Sequence, residues 1–190
     1  MRRSNQIALI VFIAIIVTSF SHGSAAELEV PYISKGACPF EGCTYGKWPV
    51  LKRVEVYADP NLTSDVVTVL NTGEEVMAVT GDVYVVPGRA MIVGEPHRSA
   101  VDLDRNKEIL ILDYVGEGYS RVFQNGRYSL VKIARSKAQC QENPSWRYCW
   151  VEVLQDAVSQ WWVFVKTLDG KYQGWVLMEG GVLEPIDRFS

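Results

Sequence analysis

Four cysteines are the side chains of this sequence best suited to covalent chemistry, and they form two local pairs. Cys38 lies five residues before Cys43, and Cys140 lies nine residues before Cys149. An even number of cysteines in an exported chain is typical of disulfides, and four cysteines allow three connectivities. Bridges within each local pair require the least rearrangement of the chain, and we expect each to contribute about 2 kcal/mol to the free energy of unfolding.

Metal binding and catalysis are the other kinds of chemistry to consider. The two cysteine pairs do not together give the pattern of a zinc site, and His97 is the only histidine beyond residue 26. It lies in a polar stretch, no Gly-x-Ser-x-Gly motif accompanies it, and disulfides would leave no thiolate nucleophile. The sequence therefore predicts no metal, no cofactor and no catalytic residue. The carboxylate best placed to serve a hydrolase is Glu117, between two glycines of a predicted turn, although a solvated turn residue is the simpler interpretation.

Aromatic side chains are the most unusual resource of the sequence. All six tryptophans lie beyond residue 26, and several cluster around the second cysteine pair. Tyrosine and tryptophan suit recognition surfaces because they bury a large area and keep a polar group. Trp161 and Trp162 are adjacent, so on a strand they point to opposite faces and cannot both enter one core. We hypothesise a ligand-binding groove formed by Tyr114, Tyr119, Trp146 and Trp161; the alternative is that these aromatic residues pack in the core and cover the disulfide.

A cleaved signal peptide is predicted at residues 1–26. Two arginines precede an apolar run from Ile7 to Phe20, and Ser24-Ala25-Ala26 supplies small residues for cleavage. The run has about 14 residues, fewer than the roughly 20 of a spanning helix, so we expect no membrane span after cleavage. Cleavage removes two of the 19 basic residues and none of the 22 acidic ones, which takes the net charge from −3 to −5. This balance argues against nucleic acid as a partner, because its binding needs a basic surface.

The elements that would position these residues are short strands. From Leu51 onward, runs rich in Val, Ile, Tyr and Trp are separated by Gly, Pro, Asn and Asp, which predicts an all-β fold. Asn125-Gly126 is the strongest hairpin signal, and Asp169-Gly170 is a second. We expect at most a single helical turn, over Leu154–Gln160. The predicted strands are Val54–Tyr57, Val66–Leu70, Glu75–Thr80, Val83–Val86, Ala90–Val93, Ile109–Tyr114, Tyr119–Phe123, Ser129–Ile133, Trp150–Leu154, Trp161–Lys166 and Gly174–Leu177.

These strands are expected to form two small barrels. The polar stretch Gly94–Ser99 separates two strand-rich halves and has the composition of a linker. We therefore predict an irregular arm over residues 27–49 that contains the Cys38–Cys43 loop, and a first barrel over residues 50–96. A second barrel over residues 97–186 would carry the Cys140–Cys149 stretch as an insertion.

Two segments carry a resemblance to a known family of small barrels. Val54–Pro60, a strand followed by a loop with proline, leads through a valine-rich strand to Gly73-Glu74-Glu75-Val76. Trp162–Val165 leads through a turn to Gly174-Trp175-Val176. The first segment resembles the opening, and the second the closing hairpin, of the bacterial type of Src-homology-3-like domain. The first copy departs from the family because it lacks a Gly-Trp-Val closure, and the second because of its cysteine-bearing insertion.

The resemblance implies recognition of peptidoglycan, a peptide or a partner protein at the cell envelope, and it implies no catalytic residue. With the signal peptide, it predicts a non-catalytic binding or adaptor module in the periplasm of a bacterium or secreted from it. The alternative is a cell-wall hydrolase, or an accessory to one, with Glu117 as the acid. A third interpretation is a structural or inhibitory protein that docks on an enzyme by adding a strand to an exposed edge.

Overall fold

The computed structural model describes residues 27–38, 42–95, 103–142 and 147–187. The predicted signal peptide lies outside the described residues, as do His97 and Trp146. The described ranges form strands and one short helix, which confirms the all-β class. No helix in these ranges is long and apolar enough to cross a membrane. The elements are β1 Tyr32–Ser34, β2 Cys43–Thr44, β3 Gly46–Pro49, β4 Val54–Tyr57, β5 Val66–Leu70, β6 Glu75–Val86, β7 Gly88–Ile92, β8 Glu108–Gly116, β9 Tyr119–Gln124, β10 Arg127–Val131, α1 Lys137–Glu142, β11 Val151–Gln155, β12 Val158–Thr167, β13 Gln173–Leu177 and β14 Ile186–Asp187.

Most predicted strands are present, and the differences have local causes. Strands β4 and β5 have the predicted bounds, whereas the two strands predicted on either side of Gly81 are one long strand, β6. This glycine serves close packing rather than a turn, because a Cβ there would lie 2.5 Å from Trp161 Nε1 and 2.6 Å from the Tyr45 hydroxyl. The helical turn predicted over Leu154–Gln160 is wrong, because this segment ends β11 and begins β12.

The first sheet has seven strands in the order β1-β6-β12-β13-β4-β5, and β3 also pairs with β6. Strand β5 lies at one edge and the short strands β1 and β3 at the other, so the sheet is open. Side chains that alternate along the strands bring one apolar face together into a first core. Its buried members are Trp48, Val50, Val56, Leu70, Val76, Ala78, Val163, Val165, Val176 and Leu183.

The segment predicted as an irregular arm adds strands to the edge of the first sheet. Strand β1 pairs with the end of β6 and β3 with its beginning. Trp48 in β3 is fully buried, its indole nitrogen donates to the Thr44 carbonyl at 2.9 Å, and its ring stacks on Tyr45. The arm therefore supplies the largest side chain of the first core.

The second sheet is a five-stranded antiparallel meander built from one stretch of chain. Its order is β10-β9-β8-β7-β11, so the last strand returns to pair with the first, and β10 and β11 are its edges. The Asn125-Gly126 hairpin joins β9 to β10 as predicted, with positive φ at both residues. Helix α1 lies between β10 and β11 along the chain. The buried members of this second core are Ala90, Ile92, Leu103, Ile109, Ile111, Val122, Val131, Ile133, Trp150, Val151 and Val153.

The second sheet is inserted into the first, so the sheets do not simply follow each other along the chain. Strands β4, β5 and β6 precede it, and β12 and β13 follow it. The Gly-Trp-Val strand therefore lies in the same sheet as the opening segment at Val54, and Trp175 pairs with Tyr57. The division predicted between residues 96 and 97 does not coincide with the division between the sheets.

A two-stranded ribbon joins the sheets. Strand β6 leads directly into β7, and β11 leads directly into β12, so the two crossings run side by side. Val86 pairs with Val158 in the first sheet, and Arg89 pairs with Gln155 in the second. Gly88 lies at this joint, where a Cβ would be 2.7 Å from the backbone nitrogen of Ala157, in the link between β11 and β12. The two backbones are therefore closer here than a side chain at position 88 would allow.

Both local cysteine pairs lie at disulfide distance, in agreement with the pairing predicted from their spacing. The Cα atoms are 5.9 Å apart in Cys38–Cys43 and 5.7 Å apart in Cys140–Cys149. The first bridge ties the segment after β1 to β2, and the second ties α1 to the chain that enters β11. Each therefore fixes a short, irregular connection beside a sheet.

Candidate functional site

A cavity of about 200 Å³ lies where the two sheets meet. The first sheet contributes β6, β12 and the chain after β1, and the second contributes β8, β9 and the chain after β10. The two-stranded ribbon that joins the sheets brings these elements side by side. Ala157, at the joint of this ribbon, also borders the cavity. The lining residues are Ala37, Cys38, Val83, Val85, Ile111, Leu112, Asp113, Tyr114, Ser120, Arg135, Ala157 and Ser159.

A buried carboxylate with two polar partners forms one wall of the cavity. The Asp113 side chain is only 8% exposed, and the guanidinium of Arg121 lies 3.1 Å from it. The Ser34 hydroxyl donates to the same carboxylate at 2.7 Å, and Arg121 also donates to the Tyr32 hydroxyl. Burial and the nearby Asp113 charge raise the pKa of Tyr32 above its usual value. This network connects β1 of the first sheet with β8 and β9 of the second and leaves Asp113 electrically compensated.

Ser120 in β9 is the unusual polar group of the cavity. The residue is fully buried, and its hydroxyl has no hydrogen-bond partner among the described residues. A buried hydroxyl left without a partner costs about 1–3 kcal/mol, so native proteins rarely keep one without a reason. Ser120 pairs across the sheet with Tyr114, another lining residue. The position therefore offers a hydrogen-bonding group to whatever enters the cavity.

Arg135 provides a positive charge at the same cavity. Its guanidinium lies over the Tyr114 ring, 4.4 Å from the ring centroid. The Tyr114 hydroxyl accepts a hydrogen bond from the Gly118 nitrogen at 2.9 Å, which holds the ring in place. Arg135 forms no ion pair with any carboxylate in the described part of the chain. Arg135 is exposed, so water solvates its guanidinium; since Asp113 is compensated by Arg121, this guanidinium is a cation of the lining that has no carboxylate partner among the described residues.

Hydroxyl groups, one uncompensated cation and apolar walls in a small cavity are the features of a site that binds a small polar molecule. No protein-family model, curated protein or solved structure matches this chain. The kind of ligand that the cavity can bind is therefore inferred from its own lining residues.

The four aromatic residues of the predicted groove have different positions. Tyr114 lines the cavity, whereas the Tyr119 ring lies under the Lys132 ammonium, 4.6 Å from its centroid. Trp161 packs against the first core, with its ring 5.9 Å from that of Trp48. Trp146 is outside the described residues. Of the three described members, only Tyr114 therefore lies at the cavity.

Trp161 and Trp162 point to opposite faces of β12, as their adjacency predicts. Trp162 is 2% exposed and packs edge-on against Tyr57, at 5.8 Å between ring centroids. Trp161 is only partly exposed, so both indoles are used in packing. Glu117, the carboxylate considered for hydrolysis, lies in the exposed turn between β8 and β9 and is not among the lining residues of the cavity.

Sequence reasoning missed Asp113, Ser120, Arg135 and Ser34 as site residues. A signal for Ser120 was present, because it alternates with the buried Val122 and so occupies an apolar-face position with a polar side chain. Ser34 carried no such signal, since only the pairing of β1 with β6 brings it to Asp113. Arg135 follows β10 in a segment without regular structure, where spacing gives no direction to a side chain.

Proposed function

We propose that this chain is a non-catalytic binding or adaptor protein of the bacterial cell envelope, exported through a cleaved signal peptide to the periplasm or the outside. Its target would be peptidoglycan, a peptide or a partner protein. The observation that carries the proposal is the convergence of a buried, unpartnered hydroxyl and an uncompensated guanidinium on the cavity between the sheets. Such groups gain their partners when a ligand binds.

The strand order supports the further proposal that each sheet, although open, is related to the Src-homology-3-like type of small domain. In the second sheet, five consecutive strands form a meander whose last strand pairs with its first. In the first sheet, β4, β5, β6, β12 and β13 give a comparable set of five, with the Gly-Trp-Val strand beside β4. Both cysteine pairs at disulfide distance support an oxidising location outside the cytoplasm.

A sedimentation assay tests the proposed function. The processed protein is incubated with purified peptidoglycan, and in parallel it is used to capture partners from envelope extracts. We expect binding that is lost in Arg135→Glu and kept in Arg53→Glu, which reverses an exposed charge before β4. Absence of binding in both assays, or equal binding by the two variants, would overturn the proposal.

A turnover assay separates the proposal from the hydrolase alternative. Peptidoglycan is incubated with the wild-type protein and with Glu117→Gln, and release of soluble fragments is followed. We expect no release above background by either protein. Release by the wild type that disappears in the variant would establish the hydrolase instead.

A further inference from the structure

We infer that the cavity binds the free carboxy-terminal end of a short peptide whose last side chain is small and aliphatic, and that Arg135 recognises its carboxylate. The inference deepens the proposed function and rests on it, because it names the ligand class for the same cavity. Five properties of the lining support it: its charge, the geometry of its cation, its volume, its walls and the Ser120 hydroxyl.

The charge of the cavity selects an anion. Its buried carboxylate, Asp113, is held by the Arg121 guanidinium at 3.1 Å and by the Ser34 hydroxyl at 2.7 Å. The guanidinium of Arg135 has no carboxylate partner in the described ranges. A ligand cation would therefore meet an already compensated acid and an uncompensated base. A ligand carboxylate would complete the second ion pair.

The geometry of Arg135 suits a planar anion. A guanidinium presents its donors in a fixed plane that matches the two oxygens of a carboxylate. The guanidinium lies over the Tyr114 ring, 4.4 Å from its centroid, which restrains its position, and the Tyr114 hydroxyl is itself held by the Gly118 nitrogen. Because the cation is ordered before the ligand arrives, less entropy is lost on binding.

The volume of the cavity limits the ligand to a single residue or a little more. A cavity of about 200 Å³ is slightly larger than the roughly 150 Å³ that accommodates benzene, so it admits on the order of ten non-hydrogen atoms. Much of its wall is aliphatic, which suits a methyl or similar small side chain beside the carboxylate. These walls are formed by Ala37, Val83, Val85, Ile111, Leu112 and Ala157.

The hydroxyl of Ser120 gives the ligand a second polar contact. It is buried, lines the cavity and has no partner among the described residues. A carboxylate oxygen or the last peptide carbonyl would accept a hydrogen bond from this hydroxyl. Removal of this hydroxyl should therefore weaken binding while relieving the folded protein of an unpartnered polar group.

A titration with four small probes tests the inference. Acetyl-alanyl-alanine is used as the free acid and as the amide, each in the L and the D form, and binding is followed by calorimetry and by amide chemical shifts. We expect the acid to bind at least tenfold more tightly than the amide, with shifts at Arg135 and Ser120. Preference for the D form would indicate a peptide of peptidoglycan as the source, and preference for the L form an ordinary peptide; either supports the inference.

Variants and controls make the result decisive. Arg135→Gln should lower the affinity for the acid at least tenfold, Ser120→Ala several-fold, and Arg53→Gln should leave it unchanged. Thermal melts confirm that each variant is folded. Equal binding of acid and amide, absence of binding by all four probes, or unchanged affinity in Arg135→Gln would overturn the inference.

The test separates the two proposals. Sedimentation with peptidoglycan or capture of a partner, without binding of any probe, would support the proposed binding function and contradict the proposed carboxylate site. Tight binding of the acid without either sedimentation or capture would keep the carboxylate site and remove the envelope function.

Discussion

The two large sheets of this protein, which stand beside a two-stranded sheet of β2 and β14, are assembled from the chain in different ways. The second sheet uses consecutive strands from β7 to β11, so its core forms from neighbouring parts of the sequence. The first sheet combines the arm, β4 to β6 and, beyond the insertion, β12 and β13. Contacts between distant parts of a chain carry a larger loop-closure cost and form later in folding. We therefore expect the first sheet to form after the second, because its strands β6 and β12 meet across the insertion.

Substitution of Trp48 gives the largest expected effect on this comparison. Trp48→Ala removes the largest fully buried side chain of the first core, so we expect a loss of about 3–5 kcal/mol in the free energy of unfolding. Amide hydrogen exchange should show faster exchange in β4, β5 and β13 while the second sheet stays protected. Urea unfolding measures the total loss.

Trp150→Ala is the matched substitution in the second core, where the indole nitrogen donates to the Lys132 carbonyl at 3.1 Å. We expect it to speed exchange in both sheets, because the first sheet is expected to form only after the inserted second sheet has folded. Loss of protection confined to the second sheet in Trp150→Ala would show that the first sheet forms without it.

Substitution of Asp113 tests the contact between the sheets. Asp113→Asn removes the charged partner of Arg121 at a site where the carboxylate is 8% exposed. Because Arg121 is itself 28% exposed and can regain solvent, we expect a loss of about 2 kcal/mol, below the usual cost of breaking a fully buried pair. Glu95→Gln, at an exposed ion pair with Arg105, is the control and should cost less than about 1 kcal/mol. Equal losses in the free energy of unfolding of the two variants would show that the Asp113 network does not stabilise the contact between the sheets.

Substitution of Gly88 tests the joint of the ribbon. A Cβ at this position would lie 2.7 Å from the Ala157 nitrogen and 2.9 Å from the Gln155 oxygen, both backbone atoms. We expect Gly88→Ala to cost about 1–3 kcal/mol, because this strain exceeds the roughly 0.4–1 kcal/mol gained from a stiffer unfolded chain. Val86→Ala, at an exposed ribbon position, should change stability by less than about 0.5 kcal/mol. Chemical denaturation of both variants would show whether the close approach matters.

Acid titration gives the smallest expected effect. The Thr167 hydroxyl and the Lys171 backbone nitrogen donate to Asp169 and lower its pKa from 3.8 to about 2. A lowered pKa stabilises the fold above the unfolded value, and this contribution is lost as the pH falls from 3.8 towards 2. In Asp169→Asn the melting temperature should therefore decrease less steeply with pH in that range. An unchanged slope would show that the turn contributes nothing to acid stability.

Asp104, in the connection between β7 and β8, is the matching group beside the second sheet. Its pKa is lowered chiefly by the Lys107 ammonium, with a further hydrogen bond from Asn125. Asp104→Asn should likewise reduce acid sensitivity, but local exchange should respond in the β9–β10 hairpin rather than in β12 and β13. If amide exchange in either variant changes in the sheet that does not carry the substitution, acid destabilises both sheets together.

The local parts of this fold could be predicted from the sequence. Runs of branched and aromatic residues predicted the bounds of β4 and β5, and Asn125-Gly126 predicted the β9–β10 hairpin. Both predictions were possible because strand propensity and turn chemistry act over a few residues. The adjacency of Trp161 and Trp162 likewise predicted their opposite faces. The local cysteine spacing predicted both pairs that lie at disulfide distance.

The long-range parts could not be predicted in this way. Pairing of Trp175 with Tyr57, and of β1 with β6, joins residues far apart in sequence and leaves no local pattern. The cavity depends on these pairings, since Ser34 and Asp113 meet only after both sheets have formed. Helix α1 also went unpredicted, because six residues are too few to show a helical period.

The joint between the sheets should allow the inserted second sheet to be replaced by another segment. Val86 and Val158 stand opposite each other in one ladder, so the polypeptide leaves the first sheet and re-enters it at adjacent places. Strand partners of this kind lie about 5 Å apart, the gap that a tight turn of two residues ordinarily spans. Any foreign module with equally close ends could be grafted there, and a two-residue turn in its place would leave a minimal version of the host.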